Sequence, residues 1–467
     1  MKAEFKHLNN LYLLFTLLTF FSFHFFPTES KAYSLSIEAE EKLGGEFLDK
    51  IRKKFEVVDD DFVRGYINDL GNYLIRPLKT KHFPFRFYVL KGNSLNAFAG
   101  PGGHIFIFSG LIEAFDGIDE LAAVLCHEIA HVSARHLAQR IEQTKKIGIA
   151  SMAGMLAGVF VGGQVGRALS TGSAAAGIQA QLHYSRNDER QADQLGYRYM
   201  TRAAFDPAGM ITTLKKFQQE LSLITDSIPP YLLSHPGTVE RMSNMDIMLT
   251  DNTPGAKNEN TVRFRKQFPF LKTILRAKYL DSHEAERLFS SELEKDPDSS
   301  IAHFGLGLVW KERSEFDKSI NSLVKAFRDS SQPLHILRNL GEVYQLQGND
   351  AKTIKILESA LKIDSGDKSI LLLLAISYEN LEEYPKAVHL LEKLASMKPV
   401  KDEIYYHLGV SYGRQDRLAL AHYNFGRYFK RQKKVGKAKF HFEKAHELSE
   451  NDPRLKNKIR KAMKDLT

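Results

Sequence analysis

Five consecutive residues, His127-Glu128-Ile129-Ala130-His131, carry the strongest chemical signal in this chain. On a helix, residues four apart share a face, so the two imidazoles point the same way. Histidines one turn apart can grip a single zinc ion, with Glu128 beside it as a general base. Such an ion lowers the pKa of a water toward neutrality, and the glutamate takes its proton as the water attacks a carbonyl. A bare H-E-x-x-H also arises by chance, so its meaning depends on finding the remaining ligands elsewhere.

Two later stretches offer them. Ser185-Arg186-Asn187-Asp188-Glu189 leads to Asp193, and on a helix Glu189 and Asp193 lie one turn apart. A His₂Glu zinc site takes its third protein ligand from a following helix, which suits Glu189. Asp193 then accepts the free ring N–H of a ligand histidine, most naturally His127, and fixes its tautomer. Without the histidines this pair would read as a solvated acidic face. Further on, Ser234-His235-Pro236-Gly237 precedes Arg241. The proline holds His235 extended on a loop, where it can approach the metal as a fourth ligand or face an oxyanion. Arg241 can also serve an oxyanion, and a helix-capping histidine is the bland alternative. His136, five residues after His131, faces away from the pair and reads as a supporting or surface residue. Cys126 is the only cysteine; next to His127 on the apolar side, it reads as a small buried thiol.

The elements that must position these residues are legible from periodicity. Apolar residues from Ser36 onward, with Leu43, Phe47, Ile51 and Phe55, mark a helix, and a second runs from Asp60 to Arg76. Phe85 to Leu90, Asn96 to Ala99 and His104 to Phe108 read as strands, with a tight Gly100-Pro101-Gly102-Gly103 turn before the last. A sheet edge beside the metal helix can hold a peptide as an added strand and set its carbonyl over the metal. A plain packing hairpin is the alternative. The motif helix is expected to run unbroken from Leu121 to Ile141. Residues 147–178 are dense in Gly and Ala, with Gly154, Gly158, Gly162 and Gly166 four apart. The expectation is a hydrophobic lid or membrane-contacting hairpin near the site; a transmembrane span and core packing are the other readings.

Length and composition set the frame. The 467 residues suggest two to four domains, and 43% hydrophobic content is ample for packed cores. The net charge of +9 gathers toward the C-terminus without an aromatic-and-basic nucleic-acid motif, so a solvated basic face is expected and no nucleic-acid partner. Lys2 and Lys6, the apolar run Leu11 to Phe26 and Ser30-Lys31-Ala32 read as a signal peptide over 1–32; an uncleaved anchor is the alternative. Either places the body outside the cytoplasm, and one cysteine in an exported chain suits a bacterial periplasm.

Four motifs in order, N-A-F-A-x-P-G-G, H-E-I-A-H, S-R-x-x-E-x-x-A-D and S-H-P-x-x-x-x-R, resemble the zinc metallopeptidase group that includes BepA-like, HtpX-like and CAAX-prenyl-protease-like enzymes. The resemblance covers Ser36 to Met248. It implies a gluzincin fold, one Zn²⁺ per chain on His127, His131 and Glu189, and Glu128 as catalytic base. It implies that Asn96, Ala97, Phe98, Ala99, Gly102 and Gly103 form the substrate-side strand and turn. In BepA-like members the histidine at the position of His235 closes onto the zinc as a fourth ligand and restrains the enzyme, and Arg241 belongs to the same site. HtpX-like relatives carry flanking transmembrane helices, so the soluble BepA-like branch fits better.

The rest of the chain repeats. Leu306-Gly307, Leu340-Gly341, Leu374-Ala375 and Leu408-Gly409 recur every 34 residues, followed by Trp310, Tyr344, Tyr378 and Tyr412 and by Ser319, Thr353, Ala387 and Ala421. This is the tetratricopeptide period, two antiparallel helices per unit. Ala285 and Pro297 mark a weaker earlier unit. Phe425-Gly426 repeats the pattern after only 17 residues, so one helix must serve two units. The whole reads as mainly α with a small β-sheet: a gluzincin metallopeptidase domain over 33–255, then an α-solenoid of repeats over 256–467. The leading expectation is an exported zinc endopeptidase whose repeats recruit protein substrates. By resemblance these are misassembled outer-membrane β-barrel proteins and their assembly machinery. The second expectation is a chaperone or assembly adaptor whose zinc site His235 keeps silent.

Overall fold

The computed structural model describes residues 35–143, 184–223, 230–250, 258–328, 330, 332–450, 452–464 and 466. The expected signal at 1–32 and the glycine-rich stretch at 147–178 lie outside them. No helix among the described residues is long and apolar enough to cross a membrane.

Helix α1 (Ile37–Lys54) begins where Ser36 Oγ accepts the Ala39 N–H, and it buries Leu43, Phe47 and Ile51. Acidic residues in its first turn and basic ones in its last suit the helix dipole. Asp60 caps α2 (Asp61–Leu74) by accepting from Phe62 and Val63. Strands β1 (Arg86–Leu90), β2 (Ala97–Ala99) and β3 (His104–Phe108) form one sheet in the order β1-β3-β2. β1 runs parallel to β3, with Phe87 opposite Ile105, and β2 runs antiparallel, with Phe98 opposite Phe106. The turn before β3 holds Gly102 at φ 69° and Gly103 at φ 80°. A Cβ on Gly103 would also lie 2.8 Å from the Pro84 carbonyl oxygen, so no other residue fits there without displacement.

After α3 (Ser109–Ala114) comes the motif helix α4 (Ile118–Ser133), buried along most of its length. It does not continue to Ile141 as its periodicity suggests. Arg135 takes a left-handed conformation at φ 55°, and the chain restarts as α5 (His136–Gln143). The Arg135 guanidinium is held by Glu40 at 2.9 Å and by the Leu35 carbonyl at 2.5 Å, which fixes the break. Helices α6 (Arg186–Arg202), α7 (Ala208–Leu223), α8 (Pro230–Ser234) and α9 (Thr238–Thr250) complete this half. α6 packs closely along α4 because Gly196 has no side chain; a Cβ there would sit 3.3 Å from the His127 nitrogen.

The second half is helical hairpins. α10 (Glu259–Tyr279) and α11 (Ser282–Lys295) form the weak first unit, and Pro269 falls inside α10. Four pairs follow: α12 (Ser300–Glu312) with α13 (Phe316–Arg328), α14 (Pro333–Leu346) with α15 (Asp350–Leu361), α16 (Lys368–Asn380) with α17 (Tyr384–Ser396), and α18 (Asp402–Gly413) with α19 (Leu418–Arg431). Helices α20 (Val435–Leu448) and α21 (Pro453–Lys464) end the stack. The turn inside each pair carries one left-handed residue at the repeat spacing: Ser314, Gly348, Glu382 and Asp416, with φ 60°, 78°, 62° and 57°. Lys433 does the same between α19 and α20 at φ 56°. In three of the four pairs a glycine makes room for a large side chain on the next helix: Gly307 for Leu323, Gly341 for Leu357 and Gly409 for Phe425; the α16–α17 pair has Ala375 there. Gly426 does so for Phe442. Helix α19 is therefore the second member of one pair and the first of another, as the 17-residue spacing requires.

The two halves share a core. A single buried cluster runs from Val58 in the peptidase half through Phe264, Leu271 and Ile274 of α10 to Val343 of α14. Polar contacts reinforce it: α10 sends Arg265 to Asp119 at 2.7 Å, Lys272 to the Phe115 carbonyl at 2.6 Å and Arg276 to Glu113 at 2.5 Å. Leu271→Ala should cost about 2–5 kcal/mol through the lost burial and the cavity left behind. Because the core is continuous, urea unfolding followed by far-UV dichroism and by the fluorescence of Trp310, the only tryptophan, should move to lower denaturant together. Two separated transitions would contradict a shared core.

Candidate metal centre

Helix α4 presents His127, Glu128 and His131 inward, and α6 crosses it to bring Glu189 and Asp193. α6 starts at a capping box: Ser185 Oγ accepts the Asp188 N–H, and Asp188 Oδ2 accepts the Ser185 N–H at 2.8 Å. The serine of the S-R-x-x-E stretch thus sets where the helix begins, and so where Glu189 points. Short helix α8 delivers His235, whose N–H donates to the Tyr231 carbonyl at 2.8 Å. Tyr231 stacks on the His235 ring at 4.4 Å, and Tyr184 stacks on His131 at 3.8 Å.

Four ligand atoms, one each from His127, His131, Glu189 and His235, lie within 4.8 Å of one another, and all four residues are buried. His127 Nε2 is 3.0 Å from His131 Nε2, 3.4 Å from Glu189 Oε2 and 3.3 Å from His235 Nδ1. Glu189 Oε1 is 3.3 Å from His131 Nε2 and 3.0 Å from His235 Nδ1. Ligands bonded at about 2.0–2.1 Å around a tetrahedral Zn²⁺ stand roughly 3.3 Å apart. These five separations, 3.0–3.4 Å, are close to that spacing, and the donor set is one that such an ion takes. The residues fit the metal. Glu128 is wholly buried beside them, with Oε1 3.5 Å from His235 Nε2 and neither oxygen in a hydrogen bond.

The outer contacts fix each ring. His127 Nδ1 lies 2.9 Å from Asp193 Oδ1, so its N–H donates there and leaves Nε2 facing the centre. His131 Nδ1 lies 3.0 Å from His136 Nδ1, and His136 Nε2 lies 2.9 Å from Gln191 Oε1. With His131 Nε2 facing the centre, its Nδ1–H donates to His136, whose own Nε2–H donates to Gln191. The expectation that His136 faces away thus changes. The break at Arg135 swings it back beneath His131, a supporting role that unbroken helical spacing cannot show. Gln191, Tyr184 and Tyr231 had no signal in the sequence beyond their nearness to motif residues.

Arg241, on α9, is buried and turns its guanidinium toward carboxylates rather than toward an oxyanion. Nε and an Nη reach the two Asp193 oxygens at 2.8 Å each, and the other Nη is 2.9 Å from Glu189 Oε2. Burial pushes the Glu189 carboxyl up, but His235, Arg241 and His127 outweigh it and hold it well below the usual carboxylate range. Burial likewise opposes ionisation of Asp193, and Arg241 overrides it. Arg241 does not reach Glu128, and there burial outweighs the pull of His235 and His127 and pushes the carboxyl above its usual value. That contrast separates an anionic ligand from a carboxyl able to exchange a proton. Burial holds the His131 imidazole well below its usual pKa, which favours the neutral, ligating form.

Strand β2 lies at the sheet edge and packs against α4, where the resemblance puts the substrate-side strand. Ala97, Phe98 and Ala99 are buried in this arrangement.

Residues 63–248 match the model described as Peptidase family M48. The chain carries an M48 peptidase domain. It is a metallopeptidase domain, and its ligand cluster lies within the matched residues. Of curated relatives, the "Beta-barrel assembly-enhancing protease" of Yersinia pestis is 25% identical over 79% of this chain and 76% of that protein. The "Putative beta-barrel assembly-enhancing protease" of Vibrio cholerae is 28% identical over 66% of this chain and 64% of that protein. The chain thus spans less than two thirds of the Vibrio relative it matches. Among solved structures, the TPR protein YrrB is 15% identical, covering 52% of this chain and 97% of that one at a TM-score of 0.26. That loose likeness adds nothing to the helix pairing described above.

Replacing Asp193 with asparagine keeps its size but removes the charge that orients His127 in the M48 domain. Metal affinity, measured by competition with a chromophoric chelator, should fall about 10–100-fold with the fold retained. Unchanged affinity would remove Asp193 from the site.

Proposed function

We propose that this chain is an exported, zinc-dependent endopeptidase that cuts protein substrates gathered by its repeats. The observation that carries the reading is the buried cluster of His127, His131, Glu189 and His235 with Glu128 beside it. Zinc held there supplies positive charge that acidifies water and polarises a scissile carbonyl. Glu128 then takes a proton from water at its carboxylate and passes it to the leaving amine. Its buried, raised carboxyl suits both directions of that transfer. A substrate aligned as an added strand beside Asn96, Ala97, Phe98 and Ala99, with Gly102 and Gly103 shaping the turn, brings its carbonyl to the same place. Arg241 acts by holding Asp193 and Glu189 in position.

The substrates we propose are misassembled β-barrel proteins of the outer membrane, met in the periplasm beside the machinery that inserts them. The names of the Yersinia and Vibrio relatives support that choice. Peripheral contact with a membrane through 147–178 belongs to the same reading and rests on composition alone. One observation favours a second role. His235 stands at the fourth ligand position with Nε2 facing Glu128, so water and carbonyl have no place until it withdraws. In that closed state the chain serves as an assembly adaptor with a silent site.

Hydrolysis of casein by metal-analysed protein separates the readings. Glu128→Gln should keep its zinc and lose activity by about 10²–10⁴-fold. His235→Ala should cleave several times faster than the unmodified chain. If His235→Ala is no more active than Glu128→Gln, the protease reading fails and the adaptor stands.

A further inference from the structure

Asp59, Asp60 and Asp61 open helix α2, and Phe62 follows. Acidic residues at a helix N-terminus are ordinary. These, however, are met by residues from the far end of the chain. Asp61 Oδ2 accepts from Ser369 Oγ at 3.1 Å and from Lys401 Nζ at 2.6 Å. The Phe62 ring meets the His335 imidazole edge-on at 4.3 Å, with the Arg338 guanidinium 6.0 Å from its centroid. Asp60 pairs with Lys278 at 2.7 Å. His335 and Arg338 belong to α14, Ser369 to α16, and Lys401 directly precedes α18. These are the first helices of three successive pairs. One face of the solenoid thus holds an Asp-Asp-Phe segment of its own chain through charge, a hydroxyl and an aromatic contact.

The same six residues, from Asp61 and Phe62 to Lys401, line a cleft of about 1180 Å³ between the sheet side of the peptidase half and the repeats. The charge contact is half open to solvent, with the Asp61 and Lys401 side chains 33% and 46% exposed, so water and salt weaken it. Its persistence owes much to tethering, which gives the segment a high effective concentration at the solenoid. His335 is buried and pushed down to about 3 by that burial, so it offers a neutral ring to an aromatic partner. The cleft leaves room for a second chain beside the solvent-weakened charge contact.

We propose that Asp60-Asp61-Phe62 is a built-in ligand of the solenoid, and that His335, Arg338, Ser369 and Lys401 receive acidic-aromatic segments of protein partners in competition with it. The proposal rests on the reading of the repeats as the client-binding surface and names the chemistry they select. A carboxylate bridges Lys401 and Ser369, and an adjacent aromatic side chain fills the space between His335 and Arg338. A partner carrying that pair displaces only the first turn of α2 from α14, α16 and Lys401 and occupies the cleft, while the rest of α2 stays packed on α10.

The test uses intact, metal-loaded protein and a fluorescein-labelled peptide of this chain's residues 57–66, read by anisotropy. Asp61→Ala and the isosteric Asp61→Asn remove the built-in carboxylate and loosen the first turn of α2, and each should bind the peptide about tenfold more tightly than the unmodified chain. Adding Lys401→Glu to Asp61→Asn should abolish that gain, and a peptide with Asn and Ala in place of its Asp-Phe pair should not bind. Equal peptide affinity in the unmodified chain and both Asp61 variants overturns the proposal. So does a gain that survives Lys401→Glu. A reduced, carboxymethylated protein serves as a second probe. If it binds all variants equally and the peptide does not displace it, the repeats take clients by another face and only this proposal falls. If it binds none of them, the client-binding reading falls as well.

Discussion

Everything at the metal centre depends on one guanidinium. The site gathers three carboxylates, from Glu128, Glu189 and Asp193, in an interior that water does not reach. Uncompensated, Glu189 and Asp193 would take up protons and could not serve a bound metal as ligand and brace. Arg241 meets both Asp193 oxygens and one Glu189 oxygen, so those two stay anionic while Glu128, which it does not touch, is left with a raised pKa. The division of labour among three chemically similar groups follows from which of them Arg241 reaches. Breaking such a buried arrangement by removing one partner typically costs about 3–5 kcal/mol, because the remaining charges have nowhere to go. α9 is thus as necessary to the site as the motif helix itself.

The solenoid is built on a simpler constraint. Two helices approach closely where one offers little or no side chain, and here a glycine faces a leucine or phenylalanine 16 residues later at Gly307, Gly341, Gly409 and Gly426, with Ala375 in the remaining pair. The left-handed residue in each turn then reverses the chain at a constant place. When both features recur after 17 residues instead of 34, at Gly426 and Lys433, the stack continues with α19 used twice. No special linker is needed, because the local rules are satisfied on both sides of that helix.

Much of this is legible in the sequence for physical reasons. His127 and His131, and Glu189 and Asp193, are spaced by one helical turn, so their faces follow from periodicity alone. Ser36 and Asp60 cap the first two helices where their side chains can accept backbone N–H groups, and the strands lie within a residue of where alternation puts them. The 34-residue recurrence locates the hairpins. What the sequence hides is tertiary. The break at Arg135 is held by Glu40, almost a hundred residues away, and only that contact turns His136 beneath His131. Arg241 could be assigned to the site by its motif, but its choice of carboxylate over oxyanion depends on where α9 packs. Tyr184 and Tyr231 clamp the ligand rings by stacking, which leaves no periodic trace. The continuity of the core through α10 is invisible too, because a helix that packs on two sides looks like any amphipathic helix.

Helix α10 has a mechanical consequence. It opens the solenoid, lies in the shared core, and is fastened through Arg265 to Asp119 in the first turn of α4. The repeats thus meet the helix that bears His127 and His131 through a packed core and an ion pair. A load on the solenoid is therefore borne along α10 and delivered to the root of the motif helix, as a lever arm delivers torque to its pivot.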